Sequence, residues 1–307
     1  MSRSEFIKSQ ISSLAKATLK WLWTNSGSFK HSNLTGKELN WQVKPLGELS
    51  FMLMTLKRHG IRNRLTDRLT AYALEEANTV DWQELAAYDS SAATTLAVIA
   101  DFFMTEGRPL PFERSYLDLL SDMGYFRGMD RPAYGEMEMA YSLGRIGDPR
   151  YEASLAAWFA HTPFCLRQHP ARYCIDDLYS LTHAVYYLTD MGLRDATQLL
   201  DAETVTRLKN EIVLLTAVMV RADNADALGE LALCWLLCGI EINELRRTIL
   251  NQALRRLFVA ATPDGAIAPT SKVLAHAKSS QSNFGELYHT TLVCAMLFHL
   301  LTKRTYL

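Results

Sequence analysis

Apolar residues recur at helical spacing along almost the whole chain, with polar residues on the faces between them. No run alternates polar and apolar β-branched residues as a half-buried strand would. Gly and Pro turn signals separate the apolar segments, as at His59-Gly60 and Cys238-Gly239. The pattern predicts an all-α protein, with helices over residues 4–24, 41–59, 62–78, 81–105, 112–124, 131–146, 150–160, 174–191, 203–221, 226–238, 243–259 and 283–302.

A short repeat marks the start of several of the most apolar helices. The tripeptide Gly-Glu-Leu or Gly-Glu-Met begins at residues 47, 135, 229 and 285. Degenerate copies stand at residues 89–91 and 179–181. The six helix starts lie about 43 to 56 residues apart, and a more polar helix fills most of the intervals, which is typical of an array of helical hairpins.

Such an array is either a closed ring or an open solenoid. Six hairpins are the number that closes an α/α toroid, in which outer helices wrap six inner ones. The repeated glycines favour closure, because small residues let the inner helix starts approach each other around an axis. The sequence therefore predicts one α/α-toroid domain over residues 1–307, with a helix and linker in 1–39 packed on the ring. The open solenoid is the alternative.

The hairpin count and the segment PDGAIAP, from Pro263 to Pro269, resemble the α/α toroids of terpenoid cyclases, protein prenyltransferases, lanthionine cyclases and six-hairpin glycosidases. The turn is similar to the Asp-Gly turns that precede inner helices in the cyclases. The DxDD motif of those cyclases and the Cys…Cys-His zinc set of the lanthionine cyclases are not recognisable here. The segment Leu181 to Gly192 resembles an uncharacterised bacterial helical family. These resemblances imply the architecture and no particular activity.

Charge and composition exclude several classes of partner. The net charge is −1 and no basic stripe is present, so a nucleic-acid partner is not expected. The longest apolar run, near residues 291–301, is interrupted by His299, so no membrane span is expected. An odd number of cysteines, five, and the lack of an apolar signal at the start indicate a cytoplasmic protein. No nucleotide-binding motif is present.

The inner helices of a toroid run in parallel, so their positive dipole ends gather at one mouth. First-turn glutamates of the repeat, such as Glu48, Glu136, Glu230 and Glu286, would lie there. Each glutamate either offsets the helix dipole or belongs to a ring of carboxylates suited to acid–base chemistry. His183 follows the fourth helix start by three residues, and Glu138 stands at the corresponding place in the third repeat.

The repeat alignment directs His183 toward the ring axis, although a single histidine on an apolar helix face is often a core residue. We predict His183, Glu138, Glu230 and Glu286 as catalytic residues. Glu286 and His289 have the Glu-x-x-His spacing of helical metal sites. With His183 they predict a divalent metal as the candidate cofactor, although this spacing is common by chance.

Tyrosines recur just before the same layer of the ring and suggest an aromatic wall. The predicted substrate-binding residues are Tyr88, Tyr134, Tyr179, Tyr288 and Asp177. The alternative for Asp177 is an N-terminal helix cap. The segment 261–282 is predicted to be a long polar loop that covers the mouth as a lid.

Together these features predict an enzyme of specialised biosynthesis, a cyclase, lyase or hydrolase. It would act on a small molecule or a peptide by acid–base chemistry. In a variant of this hypothesis, a bound metal ion assists that chemistry. The alternative is a helical-repeat scaffold that binds a peptide or a protein partner without catalysis. No oligomeric state is predicted.

Overall fold

A computed structural model describes residues 3–30, 39–88, 92–127, 131–166, 169–279 and 284–303. Within these ranges the chain is helical, and its strand-like pairing is limited to an isolated bridge between Ala261 and Ile267. The all-α prediction is confirmed. The α-helices are Arg3–Thr24 (α1), Leu39–Arg58 (α2), Arg64–Ala77 (α3), Trp82–Tyr88 (α4), Ala93–Thr105 (α5), Arg114–Asp122 (α6), Ala133–Arg145 (α7), Pro149–Glu152 (α8), Leu155–Phe159 (α9), Ile175–Leu188 (α10), Ala202–Met219 (α11), Ala225–Leu237 (α12), Glu244–Val259 (α13), Ser271–Ser279 (α14) and Phe284–Lys303 (α15).

Two predicted helices are divided in the structure. The segment predicted as one helix over 81–105 contains α4 and α5, and the degenerate repeat copy at 89–91 lies outside the described residues. The segment 150–160 contains the short helices α8 and α9. Elsewhere local signals place the helix starts, as at α3, where Asn63 Oδ1 accepts hydrogen bonds from two backbone N–H groups of the first turn.

Six helices follow one another in a cyclic order of contacts. Helix α2 packs against α5, α5 against α7, α7 against α10, α10 against α12, α12 against α15, and α15 against α2. These six are called the cavity helices below. Helices α1, α3, α11 and α13 pack against one or more of them. Buried apolar side chains from α1 to α15 form one continuous core cluster.

The first repeat glycine permits a close helix contact. A Cβ atom at Gly47 on α2 would lie 2.8 Å from Cγ2 of Thr95 on α5, a distance that side chains do not tolerate. Helices α2 and α5 can approach this closely only because position 47 lacks a side chain. The packing agrees with the role that the repeat pattern predicts for this glycine.

An ion-pair network joins the C-terminal ends of four cavity helices. Arg58, the last residue of α2, binds both carboxylate oxygens of Asp190, which follows α10. The Tyr141 hydroxyl donates to the same carboxylate over 2.8 Å. Arg145, the last residue of α7, lies 2.5 Å from the carboxylate of Asp101 on α5. The four ends meet, so these helices run in the same direction, and the two arginines suit the negative ends of their dipoles.

The predicted polar lid over residues 261–282 is not found in the described part of that segment. Residues 266–268 are buried, and residues 271–279 form α14. The Asp264 carboxylate accepts a hydrogen bond of 3.1 Å from the indole N–H of Trp21, so the turn is fixed against α1. The described part of the segment is therefore a buried turn and a helix rather than a long polar loop; residues 280–283 lie outside the described ranges.

Helix α15 is the most apolar long element among the described residues. It is long and apolar enough to cross a membrane, but most of it is buried inside the fold. Such burial is typical of the core helix of a globular protein, so the helix is weak evidence for a membrane relation.

Candidate functional site

All six cavity helices contribute to one cavity of about 270 Å³. This volume lies near the lower end of the range for ligand pockets and suits a small molecule. The apolar part of the wall comes mainly from α2, α5 and α15, and titratable side chains cover the rest. The lining residues are Lys44, Gly47, Glu48, Phe51, Thr94, Thr95, Val98, Glu138, His183, Tyr186, Tyr187, Glu230, His289, Leu292, Val293 and Met296.

Two imidazoles and two carboxylates form a continuous chain across the cavity. Nδ1 of His289 lies 2.9 Å from Oε2 of Glu48, which joins α15 to α2. Nε2 of His289 lies 3.4 Å from Oε1 of Glu230 on α12. The same Glu230 oxygen lies 3.6 Å from Nε2 of His183 on α10. Residues far apart in sequence therefore become neighbours through the packing of the cavity helices.

A second carboxylate of α12, Asp226, stands one turn before Glu230. Its Oδ1 lies 3.8 Å from Nε2 of His289 and accepts a 2.7 Å hydrogen bond from the Thr290 hydroxyl. Its Oδ2 accepts a 2.5 Å hydrogen bond from the Tyr179 hydroxyl. Residues of two other helices, α10 and α15, thus fix the orientation of this carboxylate.

The charges of the site follow from burial and from the close pairing. Burial opposes protonation of His289, but Glu48, Glu230 and Asp226 outweigh it and raise the pKa of the imidazole well above its usual range. Burial also opposes protonation of His183, whose pKa Glu230 nevertheless raises. Burial opposes ionisation of Glu230, yet the two imidazoles hold the pKa of its carboxyl below the usual value.

Glu138 differs from the paired carboxylates. Burial raises the pKa of its carboxyl, and the positive charge of His183 only partly opposes this effect. The cavity therefore combines carboxyl groups whose pKa values are shifted in opposite directions, down for Glu230 and up for Glu138. Groups with such divergent environments are typical of sites that transfer protons.

Three polar atoms at the cavity are buried and lack a hydrogen-bond partner among the described residues. They are Oε1 of Glu230, Nδ1 of His183 and the Tyr186 hydroxyl. The rings of His183 and Tyr186 stack, with centroids 5.5 Å apart. Buried polar groups in proteins are normally hydrogen-bonded, so these atoms are available to a ligand.

The structure brings most of the predicted titratable residues together. His183, Glu138, Glu230 and His289 all line the cavity. Glu286 does not: its side chain is 43% exposed and its carboxylate lies 3.7 Å from Nδ1 of His276. On α15 the side chain of His289 faces α2 and α12. Glu286, one helical turn earlier, does not lie on that face. The structure therefore does not bring Glu286 to the cavity with the other residues predicted to be catalytic or metal-binding.

The structure likewise brings some of the predicted substrate-binding residues to the site and leaves others outside it. Tyr134 packs edge-on against His183 with ring centroids 5.3 Å apart, and Tyr179 binds Asp226. Tyr288 stacks on Phe284 and interacts with Glu48 without lining the cavity. The side chain of Tyr88 lies outside the described residues.

Asp177 has the capping role that was its alternative. Its Oδ2 accepts a 2.9 Å hydrogen bond from the backbone N–H of Cys174, at the start of α10, and it does not line the cavity. Sequence reasoning overlooked Asp226, Tyr186 and Tyr187. A signal was present, since Tyr186 and Tyr187 follow His183 at the i+3 and i+4 positions of one helix face.

Comparison with known proteins identifies a family. No curated protein matches this chain. A family model described as "Domain of unknown function (DUF6895)" matches residues 15–299. The match includes every residue that lines the cavity and extends over most of the chain. The chain belongs to the DUF6895 family.

Proposed function

We propose that this protein is an enzyme that performs acid–base chemistry on a small polar molecule or a peptide end held in the cavity. The observation that carries the proposal is the convergence of His183, His289 and three carboxylates, from separate helices, on one small cavity with unpartnered polar atoms. Burial of so many titratable groups is costly for a protein and is common at functional sites.

We infer that the cavity helices are the inner helices of an α/α toroid. The support is their cyclic order of contacts, in which α15 returns to α2. An open solenoid has a first and a last repeat that do not touch, and it presents a long concave groove. The return contact and the titratable groups that line the cavity favour an enzyme over the helical-repeat scaffold.

In the proposed mechanism Glu138 donates a proton and His183 accepts one. Burial raises the pKa of the Glu138 carboxyl, the direction that a general acid requires. Glu230 faces Nε2 of His183 and would hold a proton on that nitrogen, which leaves Nδ1 as the base. These steps suit a cyclisation, an elimination or a hydrolysis, so the enzyme would be a cyclase, a lyase or a hydrolase of biosynthetic metabolism.

We also propose that the protein acts in the cytoplasm. All five cysteines are free in the structure, and two of them, Cys234 in α12 and Cys238 directly after it, stand one turn apart and are buried. Unpaired cysteines suit a reducing compartment. Their burial supports a packing role for this pair.

Incubation with a mixture of small metabolites and short peptides, followed by mass spectrometry, tests the proposed function. The wild-type protein should deplete one compound and form a product. Glu138→Gln and His183→Gln should each slow this turnover by about 10²–10⁴-fold, the usual contribution of a general acid or base. Glu286→Gln, at an exposed carboxylate outside the cavity, is the matched control and should keep the wild-type rate. Undiminished turnover in both cavity variants would contradict the proposal.

A further inference from the structure

Three side chains in and beside the cavity wall direct one ligand atom each toward a common point. Nε2 of His289, Oε1 of Glu230 and Oδ1 of Asp226 all lie within 4.8 Å of one another. The two distances from the imidazole nitrogen are 3.4 Å to Glu230 and 3.8 Å to Asp226. A tetrahedral ion with bonds of about 2.0–2.2 Å separates its ligand atoms by about 3.3–3.6 Å. Small side-chain movements would therefore complete such a site.

The remaining polar atom of each of these side chains already has a partner. Nδ1 of His289 pairs with Glu48 at 2.9 Å. The Thr182 hydroxyl donates to Oε2 of Glu230. The Tyr179 hydroxyl donates to Oδ2 of Asp226. Histidine and carboxylate ligands of metals are characteristically oriented in this way, by a second layer of hydrogen bonds behind them.

An independent observation points to a ligand at this place. The Glu230 side chain is 1% exposed, and its Oε1 accepts no hydrogen bond of good geometry within the described ranges, since the two imidazole nitrogens that face it lie 3.4 and 3.6 Å away. The Tyr186 hydroxyl, on the same cavity wall, is also buried without a hydrogen bond in those ranges. The two imidazoles offset only part of the cost of burying this carboxylate at those distances, and a cation bound directly at Oε1 would offset the rest.

We propose that Asp226, Glu230 and His289 bind one divalent transition-metal cation of the zinc or manganese type. One imidazole with two carboxylates fits these ions better than soft cuprous copper or the all-oxygen sites of calcium. Three protein ligands leave a position open toward the cavity, which is typical of catalytic rather than structural sites. The role of this ion in the reaction rests on the proposed function, whereas its binding does not.

Isothermal titration of the full-length protein, freed of metal with EDTA and then dialysed, tests the site with ZnCl₂, MnCl₂ and CaCl₂ as probes. One equivalent of Zn²⁺ or Mn²⁺ should bind, and Ca²⁺ should bind more weakly. Glu48→Gln should weaken the affinity by about 10–100-fold, as loss of a supporting hydrogen bond does. His289→Gln and Asp226→Asn should weaken it further. Glu286→Gln should bind as the wild type does.

The proposal is overturned if neither Zn²⁺ nor Mn²⁺ binds with a stoichiometry of one. It is also overturned if His289→Gln and Asp226→Asn bind with wild-type affinity, because the ion would then lie elsewhere. If circular dichroism shows that those two variants do not fold, the affinity of the isosteric Glu48→Gln variant for the metal decides whether the proposal stands. Full turnover by the metal-free protein would overturn the role of the ion and leave the acid–base proposal standing. Binding with the predicted variant pattern but without turnover would support the site and count against the enzyme.

Discussion

Replacing Arg145 by methionine should lower the free energy of unfolding by about 3–5 kcal/mol at neutral pH, the usual loss when one partner of a buried ion pair is removed. The guanidinium lies 2.5 Å from the carboxylate of Asp101, whose side chain is only 2% exposed. Methionine keeps most of the apolar stem, so the loss reports the uncompensated charge of Asp101. Urea unfolding followed by circular dichroism measures the effect.

The pH dependence of that loss identifies its cause. Burial already raises the pKa of Asp101 above its usual value, although Arg145 opposes this effect. Without Arg145 the folded-state pKa rises further above that of the unfolded chain, so protonation stabilises the folded variant as the pH falls. The difference from wild type should therefore shrink between neutral and mildly acid pH. Asp101→Asn in the same chain should recover most of the loss.

Arg62→Met is the matched control, since Arg62 forms a comparable but exposed pair with Asp67 at 3.0 Å. Exposed pairs contribute little, so this variant should unfold almost as the wild type does. A loss for Arg145→Met that is the same at every pH, or no larger than that of Arg62→Met, would contradict the account of the network at the helix ends.

Replacing Gly265 by alanine should lower the free energy of unfolding by more than about 3 kcal/mol. Gly265 has a φ of +104°, in a region that side-chain-bearing residues rarely adopt. A Cβ atom there would also lie 2.6 Å from the backbone oxygen of Ala17 on α1. The turn or α1 would have to move, and the hydrogen bond between Trp21 and Asp264 would be strained.

Gly147→Ala separates backbone strain from this clash. Gly147 has a φ of +101°, and a Cβ atom there would meet nothing within 4 Å in the described structure. The control should show the strain alone, on the order of 1–3 kcal/mol. Thermal unfolding of both variants measures the difference. Equal losses would mean that the contact between the turn and α1 contributes nothing.

Most of the helical framework could be predicted because its signals are local. Apolar spacing and turn residues identify the helices, and the repeat occurs in the cavity helices. Gly47 and Gly229 nevertheless lie a turn or more inside α2 and α12, not at the helix starts that the repeat predicted. Helix α14 was missed because its residues, SKVLAHAKS, have a weak apolar pattern and follow a turn that tertiary packing buries. The division between α4 and α5 was missed although the polar run Asp89-Ser90-Ser91, itself a degenerate repeat copy, separates the two apolar segments.

The candidate site could be predicted only where the repeat or a helical spacing applied. His183 and Glu138 occupy corresponding places in their repeats, and both line the cavity. Asp226 was overlooked because its partners, Tyr179 and Thr290, are 47 and 64 residues away in the chain. Glu286 was misplaced because helical spacing limits which residues share a face but does not determine which face a neighbouring helix covers.

The central claim is that side chains from four cavity helices meet at one place, and imidazole NMR of ¹⁵N-histidine-labelled, metal-free protein tests it most directly. Glu48→Gln should shift the ring resonances of His289, and Glu230→Gln should shift those of both His183 and His289. Glu286→Gln should shift His276 instead. If Glu48→Gln and Glu230→Gln leave the resonances of His183 and His289 unchanged, the residues do not converge and the cavity is not the functional site.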